Sequence, residues 1–236
     1  MVAGITRSCE KKNMTEPSEL VFLLDVDNTL LDNDRIVTDI GNRLAHEFGD
    51  ENRLRYWKIF ETLRTELGYV DYLGALQRYR LDATTDTSLL MMSSFLLDYP
   101  FADRLFPGVL EMLASLRSWG KTVIVSDGDI VFQPRKIQRS GLWDAVEGRV
   151  LIYRHKEQML EDIERQFPAR HYVMVDDKLQ ILAAMKIIWG NRLTTVFPRQ
   201  GHYALDPANV AGYPAADISL DRIGDLINVE FPALLR

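Results

Sequence analysis

The sequence predicts an α/β protein: a Rossmann-like parallel sheet covered by helices, with an α-helical segment inserted after the first strand. Three observations carry this. Five short apolar runs recur along the 236 residues: LVFLLD (20–25), KTVIVS (121–126), RVLIY (149–153), HYVMV (171–175) and TTVF (194–197). Such runs, rich in Val and Ile and without polar alternation, fit strands buried on both faces. Helical periodicity separates most of them, and strands alternating with helices require crossovers and a parallel sheet. Between the first and second runs, however, lie about 95 residues with helical spacing and no strand-like run.

Taken in chain order, residues 1–19 are polar and are expected to form a mobile tail. The first apolar run stops at the turn-like DNT. Four helical faces follow: Ile36, Ile40, Leu44 and Phe48; then Leu54, Trp57, Phe60 or Ile59, Leu63 and Leu67; then Tyr72, Leu76 and Tyr79; then SLLMMSSFLL (88–97). These predict a helical cap over 34–104. In FPGVLEMLASLRSWG (106–120), Pro107 suits a first turn and Gly120 a stop, with Val109, Leu113 and Leu116 on one face. Two later helices are expected. One covers 156–167, with Met159, Leu160, Ile163 and Phe167 inward. The other covers 178–188, with Leu179, Leu182, Ala183 and Ile187 inward. The sheet core then comprises 20–33 and 105–236.

Composition narrows the function. The chain is 47% hydrophobic and 26% charged, as globular domains are. The single cysteine, Cys9, excludes a disulfide framework and makes a reducing cytoplasm the expected compartment. Twenty-eight basic against 34 acidic residues give a net charge of −6, which argues against nucleic acid or a membrane surface as partner. No apolar run approaches the roughly 18 residues of a membrane span, and residues 1–19 lack a signal-peptide core.

In open parallel sheets, ligands bind beyond the carboxyl ends of the strands. The first run ends in Asp25, Asp27 and Thr29; the second ends in Ser126; the fourth ends in Asp176 and Asp177; Lys156 precedes the fourth. Clustered carboxylates repel unless a cation sits among them, and an all-oxygen set suits Mg²⁺. A carboxylate can attack phosphorus, and a second one can move the proton of the leaving group. A hydroxyl and an ammonium can hold the transferred oxygens.

In this order the motifs resemble the haloacid dehalogenase superfamily, in its phosphatase branch. Its DxDx[TV] motif is matched by Asp25-Val26-Asp27-Asn28-Thr29, its Ser/Thr by Ser126, its Lys/Arg by Lys156 and its acidic pair by Asp176-Asp177. The resemblance covers 20–33 and about 105–200. It implies Asp25 as nucleophile and Mg²⁺ ligand, and Asp27 as general acid/base with its backbone carbonyl on the metal. It also implies Ser126 and Lys156 on the phosphoryl oxygens and Asp176 on the metal, with Asp177 a ligand through water or a partner of Lys156. Thr29 and Asp127 are counted at the same phosphate subsite. Members with an insertion directly after the first motif use it as a mobile cap, the place taken here by 34–104. Dehalogenase members lack the second Asp, so Asp27 favours hydrolysis of a small phosphorylated metabolite. A sugar phosphomutase, a dehalogenase and an idle binding protein are the alternatives.

The chain departs from the family pattern in places. Asn28 stands where glycine is common, and Asn tolerates such a turn. Ile181 stands where the longer fourth motif has another Asp. Among Arg154, His155 and Lys156 the spacing admits either neighbour of His155; Lys156 is preferred because it opens a helical pattern. Asp127 and Asp129 are loop or substrate-edge residues, and His155 and His202 are expected to be structural. FPRQGHYA (197–204) either lines the approach to the site or is a surface loop. Of the basic residues Arg35, Arg43, Arg53, Arg55, Lys58, Arg64, Arg78 and Arg80, one or two are expected to face the substrate. Tyr56, Trp57, Tyr69, Tyr72 and Tyr79 are read as cap core.

Overall fold

A computed structural model describes residues 17–80 and 87–231. The tail to residue 16, with Cys9, lies outside the described residues. The chain runs β1 (Ser18–Leu24), α1 (Asn33–Phe48), α2 (Asp50–Leu67), α3 (Tyr72–Arg80), α4 (Thr87–Asp98), α5 (Val109–Leu116), β2 (Lys121–Asp127), α6 (Phe132–Arg139), α7 (Leu142–Ala145) and β3 (Val150–Tyr153). It continues through α8 (Leu160–Gln166), β4 (Ala169–Val175), α9 (Leu179–Trp189), β5 (Leu193–Pro198), α10 (Gly201–Leu205), α11 (Pro207–Ala211) and β6 (Ile218–Leu220). The strands form one parallel sheet in the order β3-β2-β1-β4-β5-β6.

β1 is central and shows why its run is apolar throughout. Leu20, Phe22 and Leu24 pack on one face with Val109, Leu113 and Leu116 of α5. Val21 and Leu23 pack on the other with Ile163, Leu182 and Met185 of α8 and α9. Successive side chains enter opposite layers, and both layers are buried and apolar.

The helices between β1 and β2 have an apolar core of their own. Ile36, Ile40, Leu44, Tyr56, Phe60, Leu63, Tyr72, Leu76, Met92 and Leu96 are buried together. The two chain segments that enter and leave this unit pair at its base: Leu31 bridges Leu105, the Asp32 amide donates to the Arg104 carbonyl (2.8 Å) and the Phe106 amide to Leu30 (3.0 Å). Tyr99 and Arg104 both bond Asp39 of α1, at 2.5 and 2.7 Å. α6 joins the two units. Its Phe132 packs in the helical cluster against Tyr72 and Phe101, while Ile137 packs under the sheet.

Several expectations are corrected. β1 starts at Ser18, whose amide reaches the Pro168 carbonyl, so the edge of the sheet extends two residues into the polar stretch. In α2 the buried face runs through Tyr56, Phe60 and Leu63, and Leu54 is exposed. In α9 the buried face is Leu179, Leu182, Met185 and Trp189; Ile187 is 84% exposed. That helix is apolar nearly all round, so periodicity could not choose its inner face. The helix expected over 106–120 spans only Val109–Leu116, following Gly108. The segment after Lys156 opens with a single 3-10 turn before α8. The helices α6, α7, α10 and α11 and the strand β6 were not anticipated. Among the described residues no helix is long and apolar enough to cross a membrane.

Candidate active site

The carboxyl ends of β1, β2, β3 and β4 converge on one cluster. After β1, the Leu30 and Leu31 amides both return to the Val26 carbonyl at 2.9 Å, which winds 25–31 into a tight turn. Asn28 takes the left-handed conformation there, with φ 60°. Its side chain explains why Asn can replace glycine. Asn28 Oδ1 accepts the Asp34 amide (3.1 Å) and its Nδ2 donates to Asp34 Oδ1 (3.0 Å), tying the turn to the start of α1. Gly201 (φ 71°) lies against the Asn28 side chain, and a Cβ there would collide with it.

Asp25, Asp176 and Asp177 are buried and place one carboxylate oxygen each within 4.8 Å of one another. Lys156, also buried, donates to Asp25 Oδ1 at 2.5 Å and reaches Asp176 Oδ2 at 2.6 Å. Arg154, by contrast, is exposed. Burial pushes the Asp176 carboxyl up to about 6, against the pull of Lys156. Burial and then the Asp176 and Asp25 charges hold Asp177 well above the usual carboxylate range. Burial disfavours the Lys156 ammonium, but the Asp176, Asp25 and Asp127 charges outweigh it and hold the group above an ordinary lysine.

Three carboxylates and one ammonium leave a formal charge of −2. Both Asp177 oxygens are buried with no hydrogen-bond partner among the described residues. Such an uncompensated group is costly. The oxygen donor set and its charge fit a divalent cation of the Mg²⁺ kind.

Asp27 turns away from this cluster. Lys136 donates to its Oδ1 at 2.6 Å and Gln133 to its Oδ2 at 3.3 Å. Gln133 also donates to Ser126 Oγ at 2.9 Å, so one amide spans Asp27 and Ser126. Lys136 and Gln133 belong to α6 and are themselves buried. Sequence reasoning missed both. The available signal was Asp129, whose carboxylate accepts the Val131 and Phe132 amides and so starts the helix. Thr29 is fully buried: its hydroxyl accepts the Asp177 amide (3.1 Å) and its carbonyl accepts from Gln200. Asp127 accepts the Lys156 amide at 2.8 Å, and burial raises its carboxyl.

A cavity of about 430 Å³ opens from Asp27 between the sheet edge and the inserted helices. Gln133 and Lys136 lie on its core side, Tyr69 and Tyr72 on the inserted side. Of the eight basic residues singled out in the insertion, Arg64 lines it. Arg64 donates to the Tyr203 hydroxyl at 2.7 Å, so segment 197–204 also reaches this wall. His202 from the same segment bonds Asp34, its amide to Oδ2 at 2.7 Å and its ring Nδ1 to Oδ1 at 2.5 Å. A second cavity of about 460 Å³, between α3 and α4, shares no wall residue with this one.

A six-stranded parallel sheet with acidic strand ends and a helical insertion after the first strand is the architecture of one hydrolase class. The family model of haloacid dehalogenase-like hydrolases matches residues 20–187, and the chain belongs to that family. It is similar to the haloacid dehalogenase-like hydrolase of Burkholderia xenovorans LB400, with 65% identity, TM-score 0.86, and 91% of this chain and 100% of that one covered. It shares the fold of the L-2-haloacid dehalogenase of Xanthobacter autotrophicus (16% identity, TM-score 0.57, 89% and 97% covered). The magnesium-bound HAD-hydrolase YfnB of Bacillus subtilis is another such likeness (14%, TM-score 0.59, 93% and 99% covered). No curated protein matches.

Proposed function

We propose that this hydrolase is a cytoplasmic, magnesium-dependent phosphatase of small phosphate monoesters. The observation that supports this best is Asp27, a second carboxylate two residues beyond Asp25 that is turned to the cavity. Departure of a halide needs no proton, whereas an alkoxide leaving phosphorus does.

In this reading Asp25, held by the Lys156 ammonium at 2.5 Å, attacks phosphorus in line and forms an aspartyl phosphate. Asp27 gives its proton to the leaving oxygen, then takes one from the water that releases phosphate. Ser126 and Lys156 hold the phosphoryl oxygens, with Thr29 and Asp127 bracing the turn and the lysine. Asp25, Asp176 and Asp177, with the Asp27 carbonyl, would hold Mg²⁺, which supplies positive charge that lets a phosphate dianion approach a carboxylate. The inserted helices act as the cap that excludes bulk water from the cavity.

The test is hydrolysis of p-nitrophenyl phosphate with Mg²⁺. EDTA and Asp25→Asn should each abolish it, the latter by about 10⁴-fold or more. Undiminished turnover by Asp25→Asn would remove the nucleophile assignment. Halide release from 2-haloacids without phosphate release from any ester would overturn the phosphatase reading.

A further inference from the structure

The lysine and arginine side chains on the cavity wall divide into those already matched and one that is not. Lys136 faces Asp27 at 2.6 Å. Arg64 is bonded to Tyr203 and lies 3.5 Å from Glu61. Lys178 sits over the Tyr203 ring at 4.6 Å and immediately follows Asp176 and Asp177. Among the carboxylates, Asp27 has Lys136 and Asp127 accepts the Lys156 amide; Glu157 accepts from Gln158 at its Oε1, while its Oε2 is buried with no hydrogen-bond partner among the described residues. Arg154 has no carboxylate within ion-pair distance among the described residues. Its neighbour is the Tyr69 ring of the insertion, 5.8 Å from the guanidinium carbon.

The position of Arg154 matters as much as its charge. It is the first residue after β3, at the strand edge where parallel sheets bind ligands. Tyr69 faces it from the opposite wall of the same cavity. A guanidinium whose neighbour is an aromatic ring, not a carboxylate, keeps its planar donors available for a carboxylate or phosphate. The cavity volume suits a small metabolite. A phosphoryl group lodged at Asp25 leaves the remainder of the ester to the neighbouring cavity that Asp27, Tyr69 and Arg154 line.

We infer that the leaving group of the substrate carries a second anionic group, a carboxylate or a phosphate, and that Arg154 receives it. The inference rests on the phosphatase reading. It makes Arg154 a specificity-determining residue, distinct from Lys156 two residues on, which serves the reacting phosphoryl group.

The experiment compares three esters built on the same two-carbon backbone: phosphoglycolate, ethylene glycol bisphosphate and 2-hydroxyethyl phosphate. Each is measured with Mg²⁺ on the unmodified chain, Arg154→Ala and Arg154→Lys. The unmodified protein should favour at least one of the two charged leaving groups over the hydroxyethyl ester by on the order of tenfold or more in kcat/KM. Arg154→Ala should erase that ratio, mainly through KM, and Arg154→Lys should restore part of it. The better charged ester identifies which anion the subsite takes. Equal kcat/KM for all three esters, or a loss in Arg154→Ala that is the same for all three, overturns the anion assignment while leaving phosphate hydrolysis standing. No phosphate release from these esters or from p-nitrophenyl phosphate overturns the phosphatase reading, and this inference with it.

Discussion

The inserted helices and the sheet core both bury large apolar clusters, yet they treat charge in opposite ways. Every buried charged side chain among the described residues, Asp25, Lys136, Lys156, Asp176 and Asp177, lies in the segments that follow the sheet's strands or in α6. In the insertion the buried side chains are apolar or tyrosine, and the Tyr56 hydroxyl is bonded to the Tyr72 carbonyl at 2.8 Å. Its charges sit outside in pairs such as Arg43–Glu47 and Arg78–Glu66. The core thus holds an electrostatic arrangement that is unfavourable on its own and is suited to a bound cation and anion. The insertion holds none, and its contribution is shape, exclusion of water and a few polar groups on one wall. Stability and chemistry should therefore respond differently to substitutions in the two regions.

The sharpest separation is expected at Asp27. Asp27→Asn should lower kcat on alkyl phosphates by about 10²–10⁴-fold, while a melting curve stays close to that of the unmodified protein. A large fall in melting temperature would mean that Lys136 needs Asp27 for folding and that the two regions are not separable. Phe132→Ala should cost about 3–5 kcal/mol in denaturant unfolding and also reduce kcat, because the same helix carries Gln133 and Lys136. Met92→Ala, buried in the same cluster but on α4, which carries none of the site residues, should cost about 2–5 kcal/mol with kcat unchanged.

Next in size is the cation. The Asp176 carboxyl is pushed up to about 6 and Asp177 well above its usual value, both first by burial. Without a cation the native state therefore holds protons that the unfolded chain has lost, and stability falls as pH rises from about 4 through 6. A bound cation replaces those protons. Mg²⁺ at roughly 100 times its dissociation constant should add about 2.7 kcal/mol at pH 7.5, and the increment should shrink as pH drops through 6. Thermal melts across pH with and without Mg²⁺ check this; an increment independent of pH would place the ion elsewhere. The smallest effect is expected at Ile187, whose exposed side chain makes Ile187→Lys neutral within about 0.5 kcal/mol by the same melts.

The strands and the acidic residues were legible because both are local signals. A doubly buried strand must be apolar, and the residue that ends it must be at the sheet edge, so Asp25, Ser126 and Asp176 could be placed together from sequence. α6 was not legible for the converse reason. Its segment FQPRKIQR looks solvated, yet Gln133 and Lys136 are buried because Asp27 and Ser126 receive them. Polar burial that serves a site has no periodic signature. β6 has only three residues at the sheet edge, and α9 is apolar on nearly every side, so neither offers a pattern to read.

α6 also bears on how such a protein can diversify. Phe132 is part of the packing of the inserted helices, its neighbour Gln133 fixes Asp27 and Ser126, and Arg135 and Arg139 hold the end of α4 through the Leu97 and Asp98 carbonyls. An insertion borrowed from a relative would arrive without this helix, since α6 lies on the far side of β2 in the chain. Chimeras that exchange 33–104 alone should assemble poorly and turn over slowly. Those that exchange 132–139 with it keep the two halves of the joint matched. New leaving-group preferences are in this sense inherited as a pair of segments, some thirty residues apart in sequence.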